Sequence, residues 1–356
     1  LLETLGLTPV KKTGTGQPST DADSLQRLAG EHPIVEEILR YREVEKLRST
    51  YAEALPPLVA ADGRIHATLN QLSTSTGRIS SENPNLQNIP IRTEIGRSIR
   101  KAFIPGTAGS QILSADYSQI ELRVMAHISG DPGLRSAFAD GEDIHASTAA
   151  KVFGVPIAKV TKEMRRKAKE VNFGIMYGIG PFGLATRLDI PQNEAKEIIA
   201  RYFERFPGVR TYIDTTLEKA RQTGYVETLK GRRRHLPDLK SANFNVRANA
   251  ERQAINMPIQ GTAADMIKLA MIGLHRTLPD VAPSARMLLQ VHDELVFEVK
   301  RSEAKKAAAH ITSAMTSATS SRVSDFMRPP CFVVAGPRSY RRKSGDAYSG
   351  AGQRFA

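Results

Sequence analysis

One segment, residues 165–178, constrains this chain more than any other. It places Arg165, Lys169, Phe173 and Tyr177, which we call the stripe, at every fourth position. Four residues turn an α-helix through about 400°, so these side chains share one face, with cations at one end and rings at the other. A core helix would instead separate its rings from its charges. The segment therefore predicts a helix that binds a ligand with an anionic end and a flat apolar end, as a nucleoside triphosphate has.

The simpler interpretation of this segment is a solvated basic helix that happens to bury two rings. Composition favours a ligand, because 50 Lys and Arg against 37 Asp and Glu give a net charge of +13, and such a balance attracts polyanions. No apolar run approaches the roughly eighteen residues of a membrane span. The single cysteine, Cys331, excludes an internal disulfide and fits a reducing cytoplasm. The first residue is Leu1 rather than Met, which we expect of a fragment.

Two acidic residues stand at the ends of predicted strands. Residues 112–115 are apolar enough for a short buried strand, and Asp116 follows them directly. Residues 287–299 predict two strands with a tight turn at Asp293 and Glu294. Either Asp alone is more often a turn residue or a helix cap. On adjacent strands of one sheet they would share Mg²⁺ ions, and two such ions about 4 Å apart clamp the attacking and leaving oxygens of a phosphoryl transfer.

Helical periodicity dominates the rest of the chain. After Pro33 the apolar spacing predicts a long amphipathic helix. Residues 72–92 hold two prolines and many small polar groups, and they predict an extended loop. Residues 143–275 are mostly helical by the same criterion, with breaks at 178–183 and 231–238.

Local signals also predict how a helix begins and how the chain ends. Ser118 and Glu121 have the spacing of a capping box, so we expect a helix to begin there, directly after Asp116. From Arg322 onward the chain is basic and rich in Ser, Gly and Pro, and we expect disorder.

Several of these segments resemble one enzyme family. The three polymerase motifs of the A family of DNA polymerases, the bacterial DNA polymerase I type, resemble DYSQIELR (116–123), RRKAKEVNFGIMYG (165–178) and QVHDELVFE (290–298). Further family segments, in the family's order, resemble TGRISSENPNLQNIPIR (76–92), GEDIHAS (141–147), GRRRHLPD (231–238) and ERQAINMPIQGTAAD (251–265). The resemblance extends from about residue 1 to residue 305.

The resemblance implies an α+β fold, the right-hand polymerase fold with an antiparallel palm sheet, helical fingers and a partial helical thumb. The implied divisions are a partial thumb at 1–58, palm at 59–130 and 270–310, fingers at 131–269, and a divergent, disordered basic tail at 311–356. The first half of the family's thumb is not recognisable, and neither is its closing strand after residue 305. We expect the lack of that strand to weaken the palm sheet.

The reaction implied is template-directed addition of deoxynucleotides to a primer 3′-hydroxyl, with release of pyrophosphate, in DNA replication and repair. Primer–template DNA and deoxynucleoside triphosphates are the implied partners, with no membrane partner, and the implied state is a monomer. The implied cofactor is Mg²⁺, as two ions that Mn²⁺ can replace. Asp116, Asp293 and the Tyr117 carbonyl are implied metal ligands, whereas Arg165 and Lys169 hold the phosphates, and Lys169 also protonates the leaving pyrophosphate.

Five further residues are implied nucleotide contacts. Phe173 stacks near the sugar and base, and Tyr177 occupies the template position until the fingers close. Glu121 hydrogen-bonds to Tyr177 and crowds the 2′ position of the sugar. His145 is an implied third phosphate ligand, although a lone His at a polar helix start is more often a surface residue. Gln119 completes the set.

Seven polar residues match family positions that contact DNA: Arg78, Asn85, Asn88, Arg252, Asn256, Gln260 and His292. Every base pair presents acceptors at purine N3 and pyrimidine O2 in the minor groove. Donors such as Arg78 and Gln260 therefore test pair geometry without reading sequence. Apart from the resemblance, these residues would be interpreted as water-exposed loop and turn groups.

Two alternative functions remain. A single-subunit RNA polymerase shares the palm carboxylates and the Lys and Tyr of the fingers helix, but Glu121 and Phe173 argue against it. A catalytically impaired DNA-binding fragment fits the basic charge and the departures from the family at both ends of the chain.

Overall fold

The computed structural model describes residues 2, 4–8, 11–90, 93–320, 331–335, 340–341 and 347–348. The helices are α1 (Ala22–Arg27), α2 (Pro33–Leu47), α3 (Glu94–Arg100), α4 (Ile120–Ser129), α5 (Pro132–Ala139), α6 (Ile144–Phe153), α7 (Lys162–Met176), α8 (Pro181–Leu188), α9 (Gln192–Arg205), α10 (Pro207–Thr223), α11 (Phe244–Val281) and α12 (Ala304–Ser320). Within the described ranges, none of them combines the length and apolar composition that a membrane crossing requires.

The strands are β1 (Thr68–Asn70), β2 (Ser80–Glu82), β3 (Ser110–Tyr117), β4 (Tyr225–Glu227), β5 (Arg233–His235), β6 (Arg286–Val291), β7 (Glu294–Lys300), β8 (Cys331–Ala335), β9 (Tyr340–Arg341) and β10 (Ala347–Tyr348). The largest sheet has the order β6-β7-β3-β8, and all its pairs are antiparallel. The predicted strand before Asp116 is therefore confirmed, and it is longer than expected. β6 and β7 form the predicted hairpin, but Glu294 already belongs to β7, where it pairs with Asp116.

Both faces of this sheet are packed. Leu113, Ala115 and Tyr117 alternate along β3 and are buried on one face, where they join a core with α4, α11 and α12. On the other face, Leu289 and Val296 pack in a second core with residues that follow α2 and β2. Burying one such side chain contributes roughly 1.5–3 kcal/mol. The sheet is thus a rigid base for the acidic residues at its end.

The helical region is confirmed, with both breaks near their predicted places. Near the break predicted at 178–183, α7 ends at Met176 and α8 begins at Pro181, a residue suited to the first helical turn. The break at 231–238 contains β5, which pairs with β4 just before the break. The amphipathic helix after Pro33 is confirmed as α2.

Two local predictions are wrong. The capping box of Ser118 and Glu121 does not form: α4 begins after Gln119, whose φ is +55°, and Glu121 instead hydrogen-bonds to Arg78 and Tyr177. Charged and buried partners compete successfully with a local cap, because a charge-assisted hydrogen bond is the stronger interaction. Residues 72–92 are not a loop throughout, since β2 within them pairs with β1.

The prediction of a disordered tail from residue 311 is also wrong for the residues that the structure describes. α12 continues to Ser320 and buries Ile311 and Met315, which follow Ala307 at helical spacing. β8 pairs with β3 beside Asp116, so β3 has neighbours on both sides and the expected gap in the sheet is filled. The rest of the predicted tail beyond Arg322, apart from β9 and β10, lies outside the described residues.

Candidate active site

The two predicted metal ligands meet at one end of the large sheet. Asp116 is the penultimate residue of β3, and Asp293 lies in the turn between β6 and β7. The Tyr117 amide donates to the Asp293 carbonyl across 3.1 Å, which ties the turn to the end of β3. The preceding residue, His292, has a φ of +54°, an uncommon conformation outside glycine that is frequent at functional turns. The predicted position of the two residues on neighbouring parts of one sheet is therefore confirmed for the backbone.

Asp293 is a buried carboxyl that lies near one carboxylate and one cation. Burial raises the pKa of its carboxyl to about 6, the neighbouring Glu121 carboxylate adds to the rise, and Arg78 opposes it. The Arg78 guanidinium lies 3.9 Å from the Asp293 carboxylate. We call Asp116, Asp293, Glu121 and Arg78 the carboxylate centre. Its excess of acidic oxygens suits an added cation.

Glu121 connects this centre to the stripe. Its side chain is buried, with only 4 % of the residue exposed. One carboxylate oxygen accepts from Arg78 at 2.6 Å, and the other accepts from the Tyr177 hydroxyl, also at 2.6 Å. Burial, followed by this carboxylate, raises the pKa of the Tyr177 hydroxyl, so that it remains a donor. Two sites predicted separately from the sequence thus form one continuous site.

The stripe residues lie on α7 as predicted, with Tyr177 as its C-terminal cap. The rings of Phe173 and Tyr177 are stacked, with centroids 6.3 Å apart. At the other end, Arg165 Nε donates to the Asp143 carboxylate at 2.8 Å, while Lys169 is exposed. A phosphate ligand of Arg165 would therefore replace Asp143 as its partner.

His145 is not a surface residue, so the more common interpretation of a lone His is wrong here. Only 3 % of it is exposed, because α6 packs against α7. Its ring centroid lies 5.9 Å from that of Phe173, and its Nδ1 lies 3.1 Å from Asn172 Nδ2. Burial lowers the pKa of His145 to about 4. It is therefore a neutral group beside the cationic end of the stripe.

The predicted DNA contacts lie on three segments of the chain. Arg252, Asn256 and Gln260 recur every fourth residue on α11 and share one of its faces. Asn256 Oδ1 is buried and, within the described part of the chain, has no hydrogen-bond partner. An unsatisfied buried carbonyl costs roughly 1–3 kcal/mol, which a donor from a ligand would offset. Arg252 also packs beside Gly178, directly after the stripe.

The remaining predicted DNA contacts are dispersed. Asn85 and Asn88 are exposed around a short 3₁₀ turn, where the Asn85 side chain accepts from the Gln87 amide and the Asn88 carbonyl accepts from Tyr51. His292 is exposed in the turn before Asp293. Asn85, Asn88 and His292 therefore lie near the end of the sheet, and the contacts described for them involve the local backbone rather than the carboxylate centre.

Sequence reasoning assigned no role to two residues that organise the site. Asp143 caps α6 through the amides of His145 and Ala146 and also binds Arg165. An Asp directly before a predicted helix is a signal for the cap, but nothing local indicates the ion pair. Gln87 donates to the carbonyls of Ile79 and Gln290 and so fastens the 79–88 segment to β6.

Comparison with known proteins identifies the family of this site. The model of DNA polymerase family A matches residues 1–325. The chain belongs to DNA polymerase family A. The match extends 20 residues past the predicted limit at 305, in agreement with the ordered α12.

Relatives in this family share about half of their residues with the chain. It is 53% identical over 320 residues to the thermostable DNA polymerase I of Thermus filiformis, covering 89% of this chain and 38% of that protein. It is 56% identical over 307 residues to DNA polymerase I of Streptococcus pneumoniae, covering 85% of this chain and 35% of that protein. The chain thus spans little more than a third of the length of these curated relatives.

A solved structure shows the same fold. The polymerase domain of Pol1 from M. smegmatis, in complex with DNA primer-template and dNTP, is 46% identical, with a TM-score of 0.88. The superposition covers 94% of this chain and 59% of that chain. The α+β class and the right-hand polymerase fold predicted for this family A chain are confirmed.

The donor set of the carboxylate centre fits a divalent cation. Within the described ranges, no group of three or more His, Cys, Asp and Glu residues converges on one point. Mg²⁺ needs no such group, since one or two carboxylates with phosphate oxygens and water complete its coordination. Asp116 and Asp293 supply these carboxylates, and Asp293 is a buried carboxyl beside Glu121, whose charged form a bound cation would stabilise.

Proposed function

We propose that this chain is a template-directed DNA polymerase that adds deoxynucleotides to a primer 3′-hydroxyl and releases pyrophosphate in replication or repair. The buried Glu121 carries this proposal, because it links Arg78 beside Asp293 to Tyr177 on the stripe. The related mycobacterial domain was solved with DNA primer-template and dNTP, which supports DNA and deoxynucleoside triphosphates as partners here. We further propose that the chain acts as a monomer.

The stripe holds the incoming nucleotide in this proposal. Arg165 and Lys169 bind the triphosphate, and Lys169 donates a proton to the leaving pyrophosphate. Arg165 leaves Asp143 to do so, which costs little because a half-exposed ion pair contributes about 0.2–1 kcal/mol. Phe173 stacks near the sugar and base, and Tyr177 vacates the template position when the fingers close.

The sugar and the phosphates meet three further residues. Glu121 crowds the 2′ position, so a ribonucleotide fits badly. His145 donates to a phosphate, and Gln119 lines the entrance to the site from the start of α4. The left-handed backbone of Gln119 orients this start toward the end of β3.

We infer two Mg²⁺ ions, which Mn²⁺ can replace, as the cofactor. Asp116, Asp293 and the Tyr117 carbonyl would hold them at the end of the sheet. When bound, such ions make the primer hydroxyl more acidic and offset charge on the triphosphate. The two carboxylates orient the reacting oxygens. Before the cations bind, the Arg78 guanidinium partly neutralises the negative charge at Asp293.

Primer–template DNA lies along α11 and the turn before Asp293. Arg78, Asn256 and Gln260 donate to minor-groove acceptors at the primer end, whereas Arg252 and His292 contact strands nearby. Asn85 and Asn88 contact the duplex beyond them. The unpartnered Asn256 oxygen can in addition accept from the N2 amino group of a guanine in the same groove.

The proposed divisions follow the right-hand fold. Residues 1–58 form the partial thumb, 59–130 the first part of the palm, and 131–269 the fingers. The second part of the palm begins at residue 270, and we extend it past 310 to include α12 and β8, because both pack on or pair with β3.

A primer-extension assay tests the function. With Mg²⁺ and all four dNTPs, we expect the chain to extend a primed template, and Asp116→Asn and Asp293→Asn to abolish extension while DNA binding survives. Asp280→Asn, the same change at an exposed position of α11, is the matched control and should extend normally.

Two outcomes would favour the alternatives. Incorporation of ribonucleotides at the rate of deoxynucleotides would identify an RNA polymerase. Binding of primer–template without extension under any divalent ion would identify a DNA-binding fragment.

A further inference from the structure

Asn172 lies on α7 with the stripe but belongs to a different, buried face. The residue is completely buried, as is Thr148 on α6. Asn172 Nδ2 lies 3.1 Å from His145 Nδ1 and 3.1 Å from Thr148 Oγ1, and the Thr148 hydroxyl lies 3.2 Å from Asn172 Oδ1. Burying an amide is unfavourable unless it is hydrogen-bonded. These contacts therefore satisfy Asn172 and also make it the partner of one specific imidazole nitrogen.

The Asn172–His145 contact determines where the imidazole proton resides. With the Asn172 amide oriented as in the structure, its Nδ2 faces His145 Nδ1; an amide NH₂ donates and cannot accept, so His145 Nδ1 is the acceptor in this arrangement. A neutral imidazole whose Nδ1 accepts carries its proton on Nε2. Because Nδ1 is already engaged, Nε2 is the nitrogen that remains for a ligand.

The surroundings keep His145 neutral. Burial lowers its pKa to about 4; the Asp143 carboxylate opposes this effect, and the cations Arg165 and Lys169 add to it. Near pH 7 the choice is therefore between two neutral tautomers. Of these, the Nε2–H form offers a donor to an anion, whereas the Nδ1–H form would present a lone pair to it and repel it.

We propose that Asn172 is a positioning residue that fixes His145 as the Nε2–H tautomer, so that His145 presents a neutral N–H donor to the nucleotide phosphates. The ligand in this inference rests on the proposed function, but the tautomer does not. The ring of His145 lies against Phe173, one helical turn from Lys169, and Arg165 and Lys169 both act to lower its pKa, so the imidazole lies beside the cationic end of the stripe. It adds a hydrogen bond to the phosphates without adding a third positive charge.

The tautomer is measured directly by ¹⁵N NMR on the chain with ¹⁵N-labelled histidine, without DNA or nucleotide. His145→Gln identifies the signals of His145 by their loss. At pH 7 we expect a proton-bearing Nε2 and a lone-pair Nδ1. In Asn172→Asp the carboxylate accepts only, so we expect the proton to move to Nδ1; Asn172→Leu should give a mixture of both forms. A proton on Nδ1 of the unmodified chain would overturn the proposal, whether or not any variant folds.

Steady-state kinetics provide the functional readout. If the donor at Nε2 binds phosphate, Asn172→Asp should raise the KM for dNTP about tenfold, the effect of one lost charge-assisted hydrogen bond, with a smaller change in kcat. Thr148→Val removes the other partner of the amide and is the matched control for simple loosening of the α6–α7 contact. Its KM should stay within about twofold of the unmodified value.

The two arms separate the possible failures. If Thr148→Val and Asn172→Asp raise KM equally, Asn172 is structural and the proposal is wrong. If the NMR spectra show the expected tautomers but the chain neither binds dNTP nor extends primers, the proposed function fails while the positioning of His145 stands. An active polymerase with His145 protonated on Nδ1 refutes the inference alone.

Discussion

Two clusters of acidic and basic side chains are joined through the loop that carries Arg78, and they differ in how their charges are balanced. One is the carboxylate centre. The other, which we call the Asp265 network, contains Asp265, Thr228, Arg232 and Lys268. Within it, a buried carboxylate accepts from Thr228 and from Arg232, each at 2.8 Å, and lies 3.8 Å from Lys268. Its single negative charge faces two cations, so the carboxylate is more than compensated.

The carboxylate centre has the reverse balance. Arg78 is shared by Glu121 at 2.6 Å and Asp293 at 3.9 Å, so one cation faces two carboxylates. Burial is the main cause of the raised pKa of Asp293, the Glu121 carboxylate adds to it, and Arg78 opposes it. A carboxylate whose charge is fully compensated by cations stabilises a fold, whereas an incompletely compensated one retains affinity for a ligand cation. The same residue types therefore serve structure in one place and binding in the other.

The two clusters are physically connected. Lys268 Nζ donates to the Gly77 carbonyl at 2.7 Å, one residue before Arg78. Gly77 has a φ of +78°, and a Cβ there would lie 2.6 Å from the Arg232 side chain, so only glycine fits. The Asp265 network thus holds the loop from which Arg78 reaches the carboxylate centre.

Asp293→Asn should have the largest effect. It removes a proposed metal ligand, so primer extension should fall on the order of 10³-fold or more, as the loss of several kcal/mol of transition-state stabilisation implies. The free energy of unfolding should remain equal or increase, because the variant removes the cost of burying a charge and the repulsion with Glu121. Single-turnover extension and urea unfolding measure the two quantities. If the free energy of unfolding falls by as much as the activation free energy of extension rises, Asp293 is a structural residue like Asp265 and the contrast between the two clusters is refuted.

Asp265→Asn should show the opposite pattern. Removing this carboxylate leaves Lys268 as a largely buried cation without its counter-charge, and we expect a loss of about 3 kcal/mol in the free energy of unfolding. The value lies at the low end for a broken buried ion pair because Arg232 is 41% exposed. Urea unfolding tests this, with Asp280→Asn as the surface control. An unchanged midpoint would show that the network is not structural.

Glu121→Ala tests the link between the carboxylate centre and the stripe. We expect discrimination against ribonucleotides to fall about 100-fold, the scale of a steric pocket effect, because the side chain proposed to crowd the 2′ position is gone. Glu121→Gln has the same size without the charge and should keep most of the discrimination. Competing incorporation of dNTP and rNTP gives the ratio. If both variants admit ribonucleotides equally, charge rather than volume excludes them.

The sequence predicts those parts of the site that depend on one element. The four stripe residues belong to one helix, and their spacing alone places them on one face. Asp116 and Asp293 end strands whose apolar pattern is clear over a few residues. In each case the information lies within about fifteen residues, where periodicity is strong.

Parts that depend on contacts between elements are not predictable in this way. Arg165 pairs with Asp143, 22 positions earlier, and Asn172 meets His145 across two helices. The capping box fails for the same reason, since Glu121 finds its partners 43 and 56 positions away. β8 is missed because five residues acquire a role only by pairing with β3.

The smallest expected effect is a pH dependence of the Asp265 network. Burial, followed by Arg232, lowers the pKa of Lys268 below the ordinary 10.5, although Asp265 opposes this. Between the lowered value and 10.5 the unfolded chain binds more protons at this residue than the folded chain. Its contribution to the free energy of unfolding should therefore rise as pH increases through that window. Lys268→Met should remove this pH dependence. The free energy of unfolding of the unmodified chain minus that of the variant, measured by urea unfolding from pH 7 to 10.5, therefore isolates the contribution of Lys268. If this difference in the free energy of unfolding falls as pH rises, Asp265 raises the pKa of Lys268 more than burial and Arg232 lower it. The positive charge of Lys268 would then be fully compensated by Asp265.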